Sequence, residues 1–430
     1  MLAQALARRL SRAGIHYGWA IVVIVFLLAL TTAGCMGISG ALIIPLTKEF
    51  GWSTEQISVA LALRIVLFGL MAPFTAALID KYGFKRVVLV ALALIEIGLI
   101  GALVMTRLWH LVLFWGVIVG LGTGLTAMVL GAIVATRWFT TRRGLAVGIL
   151  SASSASGQLL LLPLAAWLAD RYGWRVALAP PIVVLVLVAL LVVLFIVDKP
   201  EDVGLKPYGD RGDAPAHVAP AAAFSRAFEI LFESTRSPAF WVLAGTFFVC
   251  GLSTNGLVQT HFISLCSDYG MPAVAAASTL AMMGVFDFVG TIGSGWLSDR
   301  FDNRALLSMY YGFRGLSLLY LPSSTFTVYG LSLFAVFYGL DWIATVPPTV
   351  RLSAVHFGRE RAGVVYGWVF ASHMIGAAVA AWVGGFSRST FATYLPAFYG
   401  AGLACLVAAA AVWLIGRKQS ARERLIEARA

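Results

Sequence analysis

Ile79-Asp80-Lys81-Tyr82-Gly83-Phe84-Lys85-Arg86 is a short charged stretch between two long apolar runs, and it occurs in a second form further along the chain. Ser298-Asp299-Arg300-Phe301-Asp302 stands 219 residues later, again between two apolar runs. The same offset carries Gly51 to Gly270, Arg142 to Arg361, Gly144 to Gly363 and Gly148 to Gly367. One constant offset across so long a stretch is an internal repeat. Two like halves related by an axis along the membrane normal form a plan suited to rocking about a central site.

The apolar runs around these stretches say what the solvent is. Of the 430 residues, 60% are hydrophobic and only 12% are charged, where a soluble domain carries roughly 25% charged residues. Spanning hydrocarbon takes about 20 mostly apolar residues as a helix. Helices and closed barrels alone can do it, because every backbone polar group must be satisfied internally. The runs here are continuous, unlike the short alternating segments of a barrel. Spans are expected at 18–46, 55–79, 86–106, 109–136, 143–168 and 175–197, then at 239–266, 274–298, 304–322, 327–355, 362–386 and 392–416. The expected fold is an all-α membrane protein of 12 transmembrane helices in two pseudo-symmetric six-helix bundles. Residues 1–16 read as a basic N-terminus, 17–197 as the first bundle and 198–237 as a linker rich in Pro, Gly, Asp and Ala. Residues 238–416 read as the second bundle and 417–430 as a tail. Phe224, Phe228, Ile230, Leu231 and Phe232 suggest a short interfacial helix before Pro238.

The net charge of +11 is a topology signal. With both termini placed on one side, that side holds 24 of the 31 Lys and Arg, the other holds five, and Arg64 and Arg314 lie within spans. The positive-inside rule then puts both ends in the cytoplasm, as expected for a multi-pass protein of a bacterial inner membrane. The basic excess faces lipid headgroups, so no nucleic acid is expected as a partner. The four cysteines lie in or at the ends of apolar spans without paired spacing and read as packing residues. No phosphate-cradling loop, nucleophile elbow or His-rich cluster is present, so neither an enzyme nor an ATP-driven pump is expected. No cofactor or metal is expected either, and a monomer is the simplest assembly.

Asp80-Lys81-Tyr82-Gly83-Phe84-Lys85-Arg86, with Gly295-Trp296-Leu297-Ser298-Asp299-Arg300 as its second copy, resembles the signature of the major facilitator superfamily. The first copy departs at its leading Gly, where Ala76 stands. Within that family, Tyr17-Gly18-Trp19-Ala20 and Trp138-Phe139-Thr140-Thr141-Arg142-Arg143-Gly144 resemble the monocarboxylate porters and the bacterial oxalate–formate antiporter group. Pro200-Glu201-Asp202-Val203-Gly204-Leu205 is similar to bacterial members. The resemblance implies alternating access, with a charged lock at the cytoplasmic face. Asp80 would meet Arg361 at the start of the eleventh span, and Asp299 would meet Arg142 at the start of the fifth, with Arg86 and Arg300 beside them. It also implies a Lys in the first span and an Asp–Arg pair in the eighth. Here Ser39-Gly40-Ala41-Leu42 has no Lys, and Asp287 is kept while Thr291 stands at the Arg position.

Charges inside spans are few, and each needs a partner or a task. Arg64, deep in the second span, carries a planar fork suited to a carboxylate; it would bind an anionic substrate or tie helices together. Asp287 and Arg314 lie at similar depth and would form a proton-coupling pair or a permanent salt bridge. Asp341 and Trp342 in the tenth span, Asn255 and Gln259 in the seventh and His373 in the eleventh complete the expected binding site. The expectation is proton-coupled uptake of a small mono- or dicarboxylate. The alternatives are proton-driven export of amphipathic compounds and, in a different class, a non-transporting sensor.

Overall fold

The computed structural model describes residues 2–126, 129–210 and 223–416. The tail 417–430 and linker residues 211–222 lie outside the described residues, and so does the side chain of Asp80. Among the described residues, twelve long helical segments run through the chain. The first six are α1 (Gly18–Phe50), α2 (Thr54–Tyr82), α3 (Phe84–Leu103), α4 (Leu108–Leu125, continued by Val129–Trp138), α5 (Arg143–Tyr172) and α6 (Trp174–Phe195). The second six are α7 (Pro238–Asp268), α8 (Ala273–Ser298), α9 (Asn303–Tyr320), α10 (Ser332–Phe357), α11 (Arg359–Phe391) and α12 (Leu395–Leu414). Among the described residues ten helices are long and apolar enough to cross a membrane. The exceptions are α5, whose side chains are only partly described, and α9, which is short and carries Arg304 and Arg314.

Local chemistry sets the ends. Gly51 closes α1 in the left-handed region at φ 69°, which glycine enters without a Cβ penalty. Ser53 and Gln56 then form a reciprocal capping box that opens α2. The signature loop turns at Gly83, with φ 91°. A Cβ there would stand 2.7 Å from the Asp198 carboxylate, which accepts from Lys85 N at 2.8 Å. The loop between α2 and α3 is thereby tied to the start of the linker. Helix Leu2–Arg12 packs its Ala3 and Ala7 face against α6 and the turn Pro200–Val203. The linker forms the helix Ala223–Ser234, at the place where the aromatic and aliphatic residues before Pro238 suggest one.

Among the described residues, α4, α7 and α10 depart from regular α-helix. α4 is π-helical over Val112–Val119 and α7 over Leu252–Val258. α10 breaks at Trp342–Thr345, ahead of Pro347 and Pro348, which donate no N–H and crowd the carbonyls four residues back. Apolar periodicity alone reads all three as uninterrupted.

Within each half, small residues let helices approach to backbone contact, the usual means of association where lipid removes the hydrophobic drive. A Cβ on Gly157 of α5 would lie 2.1 Å from Leu30 O of α1. In the second half, α7 and α11 meet at Gly251, Gly256 and Gly376, where a Cβ would lie 1.8–2.2 Å from the carbonyls of His373, Ala377 and Phe248. Between halves, α1 packs on α7, α2 on α11 and α5 on α8. Much of that packing lies toward the face opposite the linker. There Glu55 N donates to Ser389 Oγ at 3.1 Å, Gly385 sits against Ser58, and Ala41, Leu162 and Ala166 enter the hydrophobic cluster of the second half.

Gly251→Val should lower the melting temperature of the detergent-solubilised protein by several degrees, since overpacking costs about 1–3 kcal/mol. Gly245→Ala, on the same helix but with open space around the position, should leave it unchanged. Equal melting temperatures for the two variants would show that the α7–α11 approach is not backbone-limited.

Candidate functional site

Where α1, α2, α7 and α11 converge, a narrow cleft is lined by Ser39, Gly40, Arg64, Asn255, Gln259 and Met374, among others. Three of the residues expected to bind substrate meet there. Arg64 is buried, 4% exposed. Its Nη1 donates to Ser39 Oγ, and both terminal nitrogens reach Met36 O at 3.3 Å. Ser39 also accepts from Trp115 Nε1 at 3.3 Å. Arg64 Nε has no hydrogen-bond partner, and the partners of its terminal nitrogens among the described residues are neutral. The other wall is amide. Asn255, on the π-helical turn of α7, donates to Gln259 Oε1 at 2.5 Å. Its Oδ1 faces His373 Nε2 at 3.1 Å, so that ring nitrogen donates, while Nδ1 has no partner. π-Turns are frequent at functional sites; this one carries Ser253, Thr254 and Asn255 together.

Asp341 and Trp342, expected beside these residues, are not among those lining the cleft. They lie in the interior of the second half. The pairing of Asp287 with Arg314 is also corrected. Arg314 Nε donates instead to Asp341 Oδ2 at 2.7 Å, with side chains 0% and 7% exposed. Its Nη2 donates to the carbonyls of Asp341 and Trp342 at 2.5 and 3.1 Å, and its Nη1 to Cys250 Sγ at 2.9 Å. The break in α10 causes this arrangement: it frees carbonyls that a guanidinium can fork onto, and it turns Asp341 toward α9. Asp287 stands nearby and accepts from Ile343 N at 2.9 Å and from Thr291 Oγ1 at 3.0 Å. Trp342 packs edge-on to Tyr338, with centroids 5.6 Å apart.

Of the expected lock at the linker face, the Asp299–Arg142 contact is not formed in this conformation, and the Asp80 side chain lies outside the described residues. Asp299 pairs with Arg351 of α10, in its own half, rather than with Arg142. Arg142, at φ 59°, holds its guanidinium over the Tyr208 ring at 5.8 Å. Arg361 pairs with Glu233 of the linker helix at 2.5 Å. Arg300 stacks on Trp296 at 4.0 Å, and Arg86 is exposed. Glu233 and Arg351 carry no motif that would single them out beforehand, and Ser39 is a small residue of a kind spread along every span. Two further membrane polar groups have plainer surroundings. His261 Nε2 meets Ala381 O at 2.7 Å, and both Glu96 carboxyl oxygens are buried without a hydrogen-bond partner.

The model of the Major Facilitator Superfamily matches residues 24–381. The chain belongs to this superfamily. Among its relatives is the MFS-type transporter YcxA of Bacillus subtilis, 23% identical over 85% of this chain and 87% of that one. Monocarboxylate transporter 13 of Rattus norvegicus is 26% identical over 90% of this chain and 86% of its own, and monocarboxylate transporter 12-B of Danio rerio is 28% identical over 78% and 74%. The fold superposes on the D-xylose-proton symporter with a TM-score of 0.72 at 14% identity, covering 93% of this chain and 98% of that one. It superposes on an inward open conformation of the xylose transporter XylE from E. coli with the same score, at 14% identity, covering 96% and 99%. The protein is thus a multi-pass membrane transporter of small molecules, with monocarboxylate transporters among its homologues, and not an enzyme.

Removing one partner of a buried ion pair strands the other, at about 3–5 kcal/mol. Arg314→Leu should therefore cost far more stability than Arg361→Leu, whose pair is half exposed. Adding Asp341→Leu to Arg314→Leu should recover part of the loss. Thermal unfolding of the three variants tests this; a double variant no more stable than Arg314→Leu would show that Asp341 does not depend on Arg314 for its charge.

Proposed function

We propose that the protein carries a small organic anion, a mono- or dicarboxylate, across a bacterial inner membrane by alternating access coupled to protons. One observation carries the reading. Arg64 is a buried guanidinium with neutral partners only, facing a cleft shared by both halves. A fixed charge in a membrane interior is costly unless paired, and a guanidinium pairs best with a carboxylate. A substrate carboxylate would supply the missing partner, while Asn255, Gln259 and His373 would hold its polar substituents from the other half. The monocarboxylate transporters among its relatives agree with this class.

For coupling, the reading uses Asp287, beside the Arg314–Asp341 pair. Two carboxylates lie near one guanidinium there and only Asp341 is paired with it, so a proton on Asp287 balances the cluster. The excess of Lys and Arg on the linker side supports cytoplasmic termini. In the opposite conformation Asp80 and Asp299 would reach Arg361 and Arg142, closing the linker face.

A thermal-shift screen of the purified protein against lactate, pyruvate, oxalate, succinate and ethidium tests the class. A ligand at about one hundred times its dissociation constant stabilises by about 2.7 kcal/mol. At least one acid should raise the melting temperature of the wild type, more weakly that of Arg64→Lys, and not that of Arg64→Ala. A shift by ethidium alone, or an acid shift retained in Arg64→Ala, would end the anion reading.

A further inference from the structure

The break in α10 is held by side chains of its neighbours. Ala344 O accepts from Ser294 Oγ of α8 at 2.5 Å. Arg314 of α9 takes the carbonyls of Asp341 and Trp342, and Thr345 Oγ1 meets Cys250 Sγ of α7 at 3.2 Å. The amide side falls to Asp287, whose Oδ1 accepts the Ile343 N–H at 2.9 Å. Gly290 makes the approach possible, because a Cβ there would stand 1.9 Å from Leu340 O. Backbone groups freed inside a membrane must find such partners. Among the side chains shown to take a backbone group at the break, Asp287 is the one whose charge can change.

Its surroundings say when it would change. Arg314 from α9, Asp341 from α10 and the Cys250 thiol from α7 face it, with Thr291 on its own helix. Arg314 is already engaged by Asp341. With both carboxylates ionised the cluster carries a net negative charge in a dry interior, and one proton removes it. Asp341 keeps an ion pair with Arg314 through Oδ2, though its Oδ1 is buried without a partner, whereas Asp287 accepts from neutral donors only; the missing ion pair makes Asp287 the site of the proton.

We infer that Asp287 is the lock on the broken helix: ionised, it holds the Ile343 N–H across the α8–α10 contact, and protonated, it loosens the linker-side segment Val346–Phe357. An ionised acceptor makes a hydrogen bond roughly twice as strong as a neutral one, so protonation shifts a population rather than removing a contact. Val346–Phe357 carries Arg351, which is bound to Asp299 at the end of α8. A proton in the membrane interior is thereby joined to an ion pair at the linker face through one short helix. The inference rests on the coupling role proposed for Asp287 and adds what the proton moves.

Hydrogen–deuterium exchange of the full-length protein in lipid nanodiscs, without substrate, tests it. After correction for intrinsic exchange, amides of 343–357 in the wild type should exchange about tenfold faster near pH 5 than near pH 8, a local opening rather than global unfolding. Asp287→Asn should exchange at the fast rate at both values, and Asp287→Glu should keep a pH step. Should Asp287→Asn not fold, Pro347→Ala with Pro348→Ala should slow the segment and flatten its step by restoring the helix ladder. A wild type with no step, or Asp287→Asn with the wild-type step, overturns the lock. Flat exchange alongside pH-dependent transport overturns the lock and leaves proton coupling standing; a clear step with pH-independent transport supports the lock and removes the coupling role.

Discussion

Hydrocarbon donates and accepts no hydrogen bonds, and every irregularity in this protein has to be settled by another side chain. Helices satisfy their own backbone, and so long apolar helices dominate. Where they are interrupted, the compensation is visible. Pro347 and Pro348 break α10, and Asp287, Ser294 and Arg314 close the groups around the break. The polar residues of the second half are placed by that requirement: Asp341 turns inward with the broken strand of backbone, and Arg314 follows it.

The same constraint separates the two intramembrane arginines. Arg314 has a carboxylate, two carbonyls and a sulfur around its fork, and ties α7, α9 and α10 together. Arg64 has a serine and a carbonyl and an idle Nε, at a cleft between halves. Both are buried arginines in apolar helices, and only the company they keep distinguishes a structural tie from the proposed receptor for an anion. Depth along a helix is a poor guide to that company, because it says nothing of which way a neighbour faces.

This marks how far the sequence is legible. The repeat at 219 residues, the apolar runs and the signature loop speak for the fold because each is a property of one stretch of chain. Gly83 and Asp198, for instance, sit where a tight turn needs them. The convergence of Arg64, Asn255 and Gln259 follows from the repeat, which brings α1 and α2 opposite α7 and α11. The pairing of Asp287 with Arg314 rests on depth along α8 and α9 alone, which leaves out Asp341 of α10, the carboxylate that takes the guanidinium. Ionic partners such as Glu233 and Arg351 depend on tertiary placement of common surface residues, for which no local pattern exists.

The ion pairs also differ in what they permit. Asp299–Arg351 and Arg361–Glu233 are substantially exposed, and exposed pairs contribute about 0–1 kcal/mol each. Exchanging them for pairs across the halves would cost little, because water solvates the charges in transit. Arg314–Asp341 cannot be exchanged in that way, since opening it would leave a bare charge in the membrane. The fixed pair thus holds α9 to α10 in the membrane interior, while the exposed pairs leave the linker face free to rearrange. The carboxylate beside the fixed pair, Asp287, then has the freedom the pair lacks: it can lose its charge without leaving its place.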